Sequence, residues 1–184
     1  MLVINDARFI DRAEIIWEKG TNRSAFWRGE IDKYGWVDIG SSFLPSEVIA
    51  AFLYAQLENL GKIQVKRKKI WTQYYTLLKD LEDQGHIKLP YIPSWATNNG
   101  HMFYIQCNSL EDRTALIKFL KQYEIYAVFH YLSLHKSPFY MDKHDGRELV
   151  YADKYADLLL RLPMYFELNE QEVKLICDFI VKFY

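Results

Sequence analysis

His130 and Tyr131, with His135 five positions on, are the residues best placed to do chemistry, because they close the apolar run Ile125–His130, which reads as a strand. Strand ends are where α/β proteins put ligand-contacting groups, and an imidazole there can donate to a carbonyl or phosphate, or exchange a proton near neutral pH. Ordinary loop packing of the same residues is the competing reading. A zinc site shared with Cys107 is not expected, since the spacing fits no ligand pattern and neither CxxC nor HExxH occurs. The turn Gly40-Ser41-Ser42 ahead of Pro45 offers hydroxyls and backbone N–H groups at an expected helix start, a combination that suits a phosphate. Simple N-capping accounts for it as well. No Walker loop, GxGxxG or GxSxG is present.

These residues need elements to hold them. Leu2-Val3-Ile4 reads as a short strand whose sheet lies outside the chain, and Asn5-Asp6 caps a helix through Ile10, Ala13, Ile16 and Trp17 as far as Gly20. Residues 20–44 show neither helical nor strand period, yet carry Phe26, Trp27, Tyr34, Trp36 and Phe43, so they read as an ordered arm that reaches a partner or a site. Pro45 then opens a helix that is apolar nearly all round and needs cover. After a break at Gly61, Ile63, Ile70, Tyr74, Leu77 and Leu81 mark one amphipathic helix to about Asp83, and the basic run Lys62–Lys69 is its solvated face. A Gly/Pro/Asn-bearing connection, 84–99, marks the expected domain boundary. Beyond it come a strand at His101–Cys107, a helix Leu110–Tyr123 with a Ser109/Asp112 capping box, the strand ending at His130 and a loop over 131–150. A helix at about 151–161 leads into the short segment Leu162–Phe166, and a last helix is capped by Asn169 and Glu172. This is an α/β pattern, a small sandwich with one helical layer on a sheet.

Composition narrows the function classes. The 184 residues carry 23 Lys+Arg against 24 Asp+Glu, a net charge of −1 with pI near 6.5, so no basic field points to nucleic acid or an anionic membrane. No apolar run is long enough for a membrane span, and MLVINDARFIDR lacks the order of a signal peptide, so a cytoplasmic location is expected. Cys107 and Cys177 both sit in apolar surroundings, where buried free thiols are expected.

The stretch GTNRSAFWRGEIDKYGWVDIGSSFLPSEVIAAFLYAQLENL, with HMFYIQCNSLEDRTALIKFLKQYEIYAVFHYLSLHKSP and LLLRLPMYFELNEQEVKLICDFI, resembles the DegT/DnrJ/EryC1/StrS sugar aminotransferases across essentially the whole chain. The resemblance implies the C-terminal part of a fold-type-I enzyme dependent on pyridoxal 5'-phosphate. Residues 1–44 would be the end of the large domain with an inter-subunit arm, 45–83 long helices linking the domains, and 84–184 the small α/β domain. It further implies a homodimer that aminates a dTDP-4-keto-6-deoxyhexose, with glutamate as amino donor. The family's cofactor lysine belongs to a segment preceding the part matched here, so no catalytic residue is assigned, and the chain by itself is expected to hold no cofactor and to be inactive. Ser42, with Ser41 beside it, matches the position where many members contact the cofactor phosphate of the other subunit from a G-x-N-x-R-like motif; here Leu44 stands where that motif has arginine. Lys33 is a further cofactor-phosphate contact on this reading. Asn22 and Arg23, and His130, Tyr131 and His135 of the HY-x-x-LH stretch, would face the nucleotide-sugar substrate. Surface solvation is the competing account of the arm residues. The rival function is a non-catalytic remnant that self-associates through uncovered apolar faces.

Overall fold

The computed structural model describes residues 2–184 and divides the chain into two compact units, Met1–Glu58 and Asn59–Tyr184. In the first unit the expected strand at Leu2–Ile4 does not form: among the described residues no strand or bridge pairs with it. The Asp6 carboxylate accepts from the Arg8 amide at 3.0 Å and caps a 3-10 turn, Ala7–Phe9, that runs into helix α1 (Ile10–Trp17). Lys19 and Gly20 then turn the chain back with φ of 61° and 75°. The segment 36–43 is laced along this turn: Val37 and Asp38 amides donate to the Gly20 carbonyl at 2.8 and 3.0 Å, and Ser41 and Phe43 amides to Ile16 and Trp17. The two backbones cross at Gly20 and Gly40, where a Cβ on either would overlap the other segment's main chain.

The arm is thus ordered, and it holds a helix that its sequence does not announce, α2 (Arg23–Trp27), whose five residues are too few to display a helical period. Helix α3 (Glu47–Glu58) starts later than expected. Ser46, not Pro45 or Ser42, occupies its start, with its carbonyl accepting from the Ala50 amide at 2.9 Å. The Gly40-Ser41-Ser42 turn is therefore not at a helix N-terminus. No residue of α3 is buried.

The break between helices falls at Asn59; Gly61 lies inside α4 (Leu60–Leu77), where nothing crowds its Cα. The helix continues past a kink at Leu78 into α5 (Lys79–Asp83), and Ile70, Tyr74, Leu78 and Leu81, spaced by fours and a three, present one buried stripe. These helices pack with the residues that follow them, so the unit boundary precedes them and does not lie in the connection 84–99.

Three antiparallel strands make the sheet: β1 (Phe103–Gln106), β2 (Val128–Phe129) and β3 (Leu159–Leu162), in the order β1-β3-β2. The central strand β3 falls where the sequence reads as the end of a helix. The helix there, α7 (Val150–Leu158), stops earlier, and the apolar run Leu158–Leu160 fits either period until Leu160 and Leu162 are seen to be buried on alternate positions. Phe103, Ile105, Leu160 and Leu162 turn one face of the sheet to a core shared with α4, α6 (Leu110–Lys121) and α8 (Glu170–Phe183). Each such burial removes a large side chain from water and is worth about 1.5–3 kcal/mol.

The helix caps are mixed. Asn169 and Glu172 form the expected capping box on α8. Ser109 caps α6 by accepting from the Asp112 amide at 3.1 Å, but the Asp112 carboxylate reaches the Asn108 amide, one residue too early for a reciprocal box. Between β2 and α7 the loop is broken by two 3-10 turns, Leu134–Lys136 and Met141–Lys143. No helix is long and apolar enough to cross a membrane among the described residues.

Candidate functional site

The second face of the sheet is where groups with chemistry collect. Alternation along β1 and β3 sends Tyr104 and Arg161 away from the core, and the register pairs them directly, with Val128 of β2 opposite Arg161 on its other side. Over them a cleft of about 290 Å3 is lined by Met102, Tyr104, His130, Tyr155, Leu159 and Arg161. The His130 Nδ1 is buried there without a hydrogen-bond partner. Burial, and then the neighbouring Tyr155, hold the Tyr104 phenol above its ordinary range, so it stays a donor. Tyr131 lies outside the cleft, exposed, with its ring 4.6 Å from that of His130 and its backbone in the left-handed region at φ 55°.

His135 lines a different cleft, of about 510 Å3, with Lys136, His144, Arg147 and Asp153. Its Nε2 lies 3.3 Å from Asp153, which Lys136 also approaches at 2.8 Å, and its ring stands 5.2 Å from that of His144. The Lys136 ammonium, first among its neighbours, holds the Asp153 carboxyl below the usual carboxylate range. The HY-x-x-LH residues are therefore split between two clefts.

In the first unit the arm residues are held by one another. The Asn22 side-chain carbonyl accepts from the Gly35 amide at 2.7 Å, which pins the two ends of the arm's tip. Arg23 donates to the buried carboxylate of Glu18 at 2.9 Å and lies over the rings of Trp27 and Tyr34, at 5.8 and 5.5 Å. Both residues thus do structural work that the spacing of the sequence does not reveal. Lys33 is exposed, as are Ser41 and Ser42. The Ser41 amide is used by the Ile16 carbonyl and Ser42 pairs with Glu18, but no hydrogen bond is made by either hydroxyl among the described residues. Each of those hydroxyls and the Lys33 ammonium is a donor free to meet an anion, whereas the amides of a helix start that the sequence suggests at this turn are not formed here.

Sequence reasoning misses Tyr104, Tyr155 and Arg161. The signal for Arg161 is present in Leu158-Leu159-Leu160-Arg161-Leu162, where, once the segment is read as a strand, alternation puts the arginine on the face opposite Leu160 and Leu162. Reading the segment as helical hides it. Among the described residues no cluster of three metal-ligating side chains occurs.

Comparison with known proteins gives these clefts a context. The profile of the DegT/DnrJ/EryC1/StrS aminotransferase family matches residues 1–181. A dTDP-4-dehydro-2,3,6-trideoxy-D-glucose 4-aminotransferase of Saccharopolyspora spinosa is 28% identical over 141 residues, which cover 77% of this chain and 35% of that protein. Among solved structures, Helicobacter pylori PseC, an aminotransferase involved in the biosynthesis of pseudoaminic acid, superposes with a TM-score of 0.84 at 18% identity, covering 99% of this chain and 47% of its own. NtdA of Bacillus subtilis with bound cofactor PMP superposes with a TM-score of 0.79 at 20% identity, over 98% and 40% of the two chains. The chain spans less than half the length of each of these proteins.

Proposed function

We infer the function from one premise, that the chain belongs to the DegT/DnrJ/EryC1/StrS aminotransferase family, a family of sugar aminotransferases that use pyridoxal phosphate. Its fold is that of the C-terminal portion of a fold-type-I member. We propose that it supplies the small-domain half of an enzyme that replaces the 4-keto group of a dTDP-4-keto-6-deoxyhexose with an amine drawn from glutamate. The observation that carries this reading is the match to the family along the whole chain, arm and small domain alike.

On this reading Ser41, Ser42 and Lys33 hold the phosphate of the cofactor through hydroxyl and ammonium donors, as their free hydroxyls and exposed ammonium allow. The bound cofactor supplies an electron sink for the carbanion that amine transfer requires. His130 offers its unpartnered Nδ1 to the sugar nucleotide, Tyr131 approaches it from the exposed surface outside the cleft, and His135, 3.3 Å from Asp153, contacts it from a separate cleft. Asn22 and Arg23 act by holding the arm's tip in shape, with Arg23 keeping one edge of its guanidinium available to a diphosphate. None of the chain's lysines is assigned to bonding with the cofactor, and the chain by itself is inactive.

The test is to incubate the full chain with pyridoxal phosphate, reduce with borohydride and map modified lysines by mass spectrometry. Scattered, substoichiometric labelling with no amination of a dTDP-4-keto-6-deoxyhexose is the expected result. Stoichiometric labelling of one lysine, or turnover, overturns it. The uncovered apolar face of α3 favours one further reading, a self-associating domain without catalysis of its own, for which sedimentation at micromolar concentration should show a dimer or larger species and not a clean monomer.

A further inference from the structure

We infer that Arg113 is a positioning residue for both clefts: its one guanidinium, on α6, ties the last turn of α7 and the end of β2 together, and so holds His130 and the His135–Asp153 pair in a fixed arrangement. The two elements that carry these groups are thinly anchored. β2 is a two-residue edge strand with neither residue buried, and α7 buries Ala156 alone. His130 follows β2 directly and leads into Tyr131 at φ 55°, while Asp153, which meets both His135 and Lys136, lies one turn before Ala156. Arg113 touches both elements. Its Nη1 donates to the Ala156 carbonyl at 2.7 Å, in the last turn of α7, where carbonyls have no partner within the helix. Its guanidinium lies over the Phe129 ring, 5.7 Å from the centroid. Phe129 is paired with Leu160 on the core side of the ladder, so holding its ring holds the residue from which His130 turns to the open face.

Stability is not what Arg113 supplies. It is 8% exposed, and its Nε is buried without a hydrogen-bond partner. Among the described residues carboxylates pair with Arg8, Arg12, Arg23, Arg28 and Arg147, and not with Arg113. A charge buried on those terms costs folding energy, and an apolar side chain of similar length is tolerated at such a position. What only a guanidinium provides is a two-ended grip, a hydrogen bond to one element and a flat cation on the ring of the other. The role matters to function through the reading above, on which it rests, since that reading has His130 and His135 meet the sugar nucleotide.

The experiment is proton–carbon correlation NMR of the full chain, whose five histidines are few enough to assign, together with thermal unfolding. Arg113→Met should shift or broaden the ring signals of both His130 and His135 and weaken the nuclear Overhauser contact between His135 and Asp153 severalfold. The signal of His101, which precedes the strand at the opposite edge of the sheet, should stay in place, and the unfolding midpoint should move by no more than about 4 °C. Arg113→Lys can still donate to Ala156 but cannot lie flat on the ring, so it should restore the His135 signals and not those of His130. Phe129→Leu should disturb His130 alone. Wild-type signals at both histidines in Arg113→Met overturn the proposal, as does a midpoint lowered by more than about 10 °C with His101 disturbed as much as the other two, the mark of a merely structural residue. Should that variant fail to fold, Arg113→Lys and Phe129→Leu decide: His130 moving without His135 in both supports the proposal, and equal effects on the two histidines overturn it. Unmoved histidines leave the cofactor-labelling experiment above as it stands, and a failed labelling expectation leaves the histidine signals as they are.

Discussion

The two units of this chain are held together by different forces. Every buried hydrophobic side chain among the described residues belongs to Asn59–Tyr184, where Phe103, Tyr74, Leu160 and their neighbours form one core. In the first unit the buried positions are Glu18 and Gly20, neither of them hydrophobic. What shapes that unit is backbone pairing across the Gly20/Gly40 crossing together with ion pairs of Arg12 with Asp38, Arg23 with Glu18, and Arg28 with Glu14 and Glu30. Its apolar side chains are not scarce: Val48, Ile49, Phe52, Leu53 and Leu57 of α3 are all exposed. The difference teaches that apolar content alone does not make a core. The C-terminal unit pairs each apolar stripe with another from the same unit, whereas α3 offers a stripe with none.

The largest test of this contrast is a pair of truncations. Phe103→Ala removes a fully buried ring that stacks on Tyr74 with centroids 5.0 Å apart, and should lower the stability of the C-terminal unit by about 3–5 kcal/mol in denaturant unfolding. Phe52→Ala should change stability by no more than about 0.5 kcal/mol while reducing self-association. Comparable losses would break the comparison. Gly20→Ala comes next: the residue sits at φ 75° with the Asp38 carbonyl where the new methyl would go, so the crossing should loosen by about 1–3 kcal/mol. Faster proteolysis within 21–39, with an unchanged midpoint for the C-terminal unit, is the expected sign.

A smaller effect sharpens the picture from the polar side. The Glu82 carboxylate accepts from the Leu89 amide at 2.8 Å and from Lys79 at 2.7 Å, and Lys79 above all holds its pKa below 4.5. The unfolded state therefore binds the proton first as pH falls, and the stabilisation, full above the unfolded value, is lost on passing the folded one. Glu82→Gln should cost about 1 kcal/mol at pH 7 and progressively less below pH 4 to 5 in urea titrations run across that range. The gentlest probe alters nothing in the chain. Burial pushes the Cys107 thiol up to about 11 and that of Cys177 up to about 12, so a disulfide reagent at pH 8 should label neither until the C-terminal unit unfolds.

How far the sequence could be read follows the same division. The stripe Ile70–Tyr74–Leu81, the Asn169/Glu172 box and the buried thiols are all legible, because each is a local pattern answered by packing close at hand. The helix α2, the strand β3 and the role of Asn22 are not. Five residues hold too little period, a run of leucines suits helix and strand equally, and the Gly35 amide that Asn22 holds lies thirteen positions away in sequence. The site divides likewise. Histidine announces itself by its chemistry, so His130 stands out, whereas Tyr104 and Arg161 acquire meaning only from a ladder register that no linear spacing encodes.

The crossing of Gly20 and Gly40 makes the chain between them a closed loop whose base is clamped and whose tip has open space beside Gly29, where an added Cβ would meet nothing within 4 Å. Closure entropy grows only with the logarithm of length, by about 0.6 kcal/mol for each doubling. The number of residues in the tip is therefore nearly free to vary, while the two glycines at the base are not. A tag or reporter peptide inserted at Gly29 would ride on the arm without disturbing the clamp, and the same arithmetic lets related arms differ in reach while leaving the fold at their root unchanged.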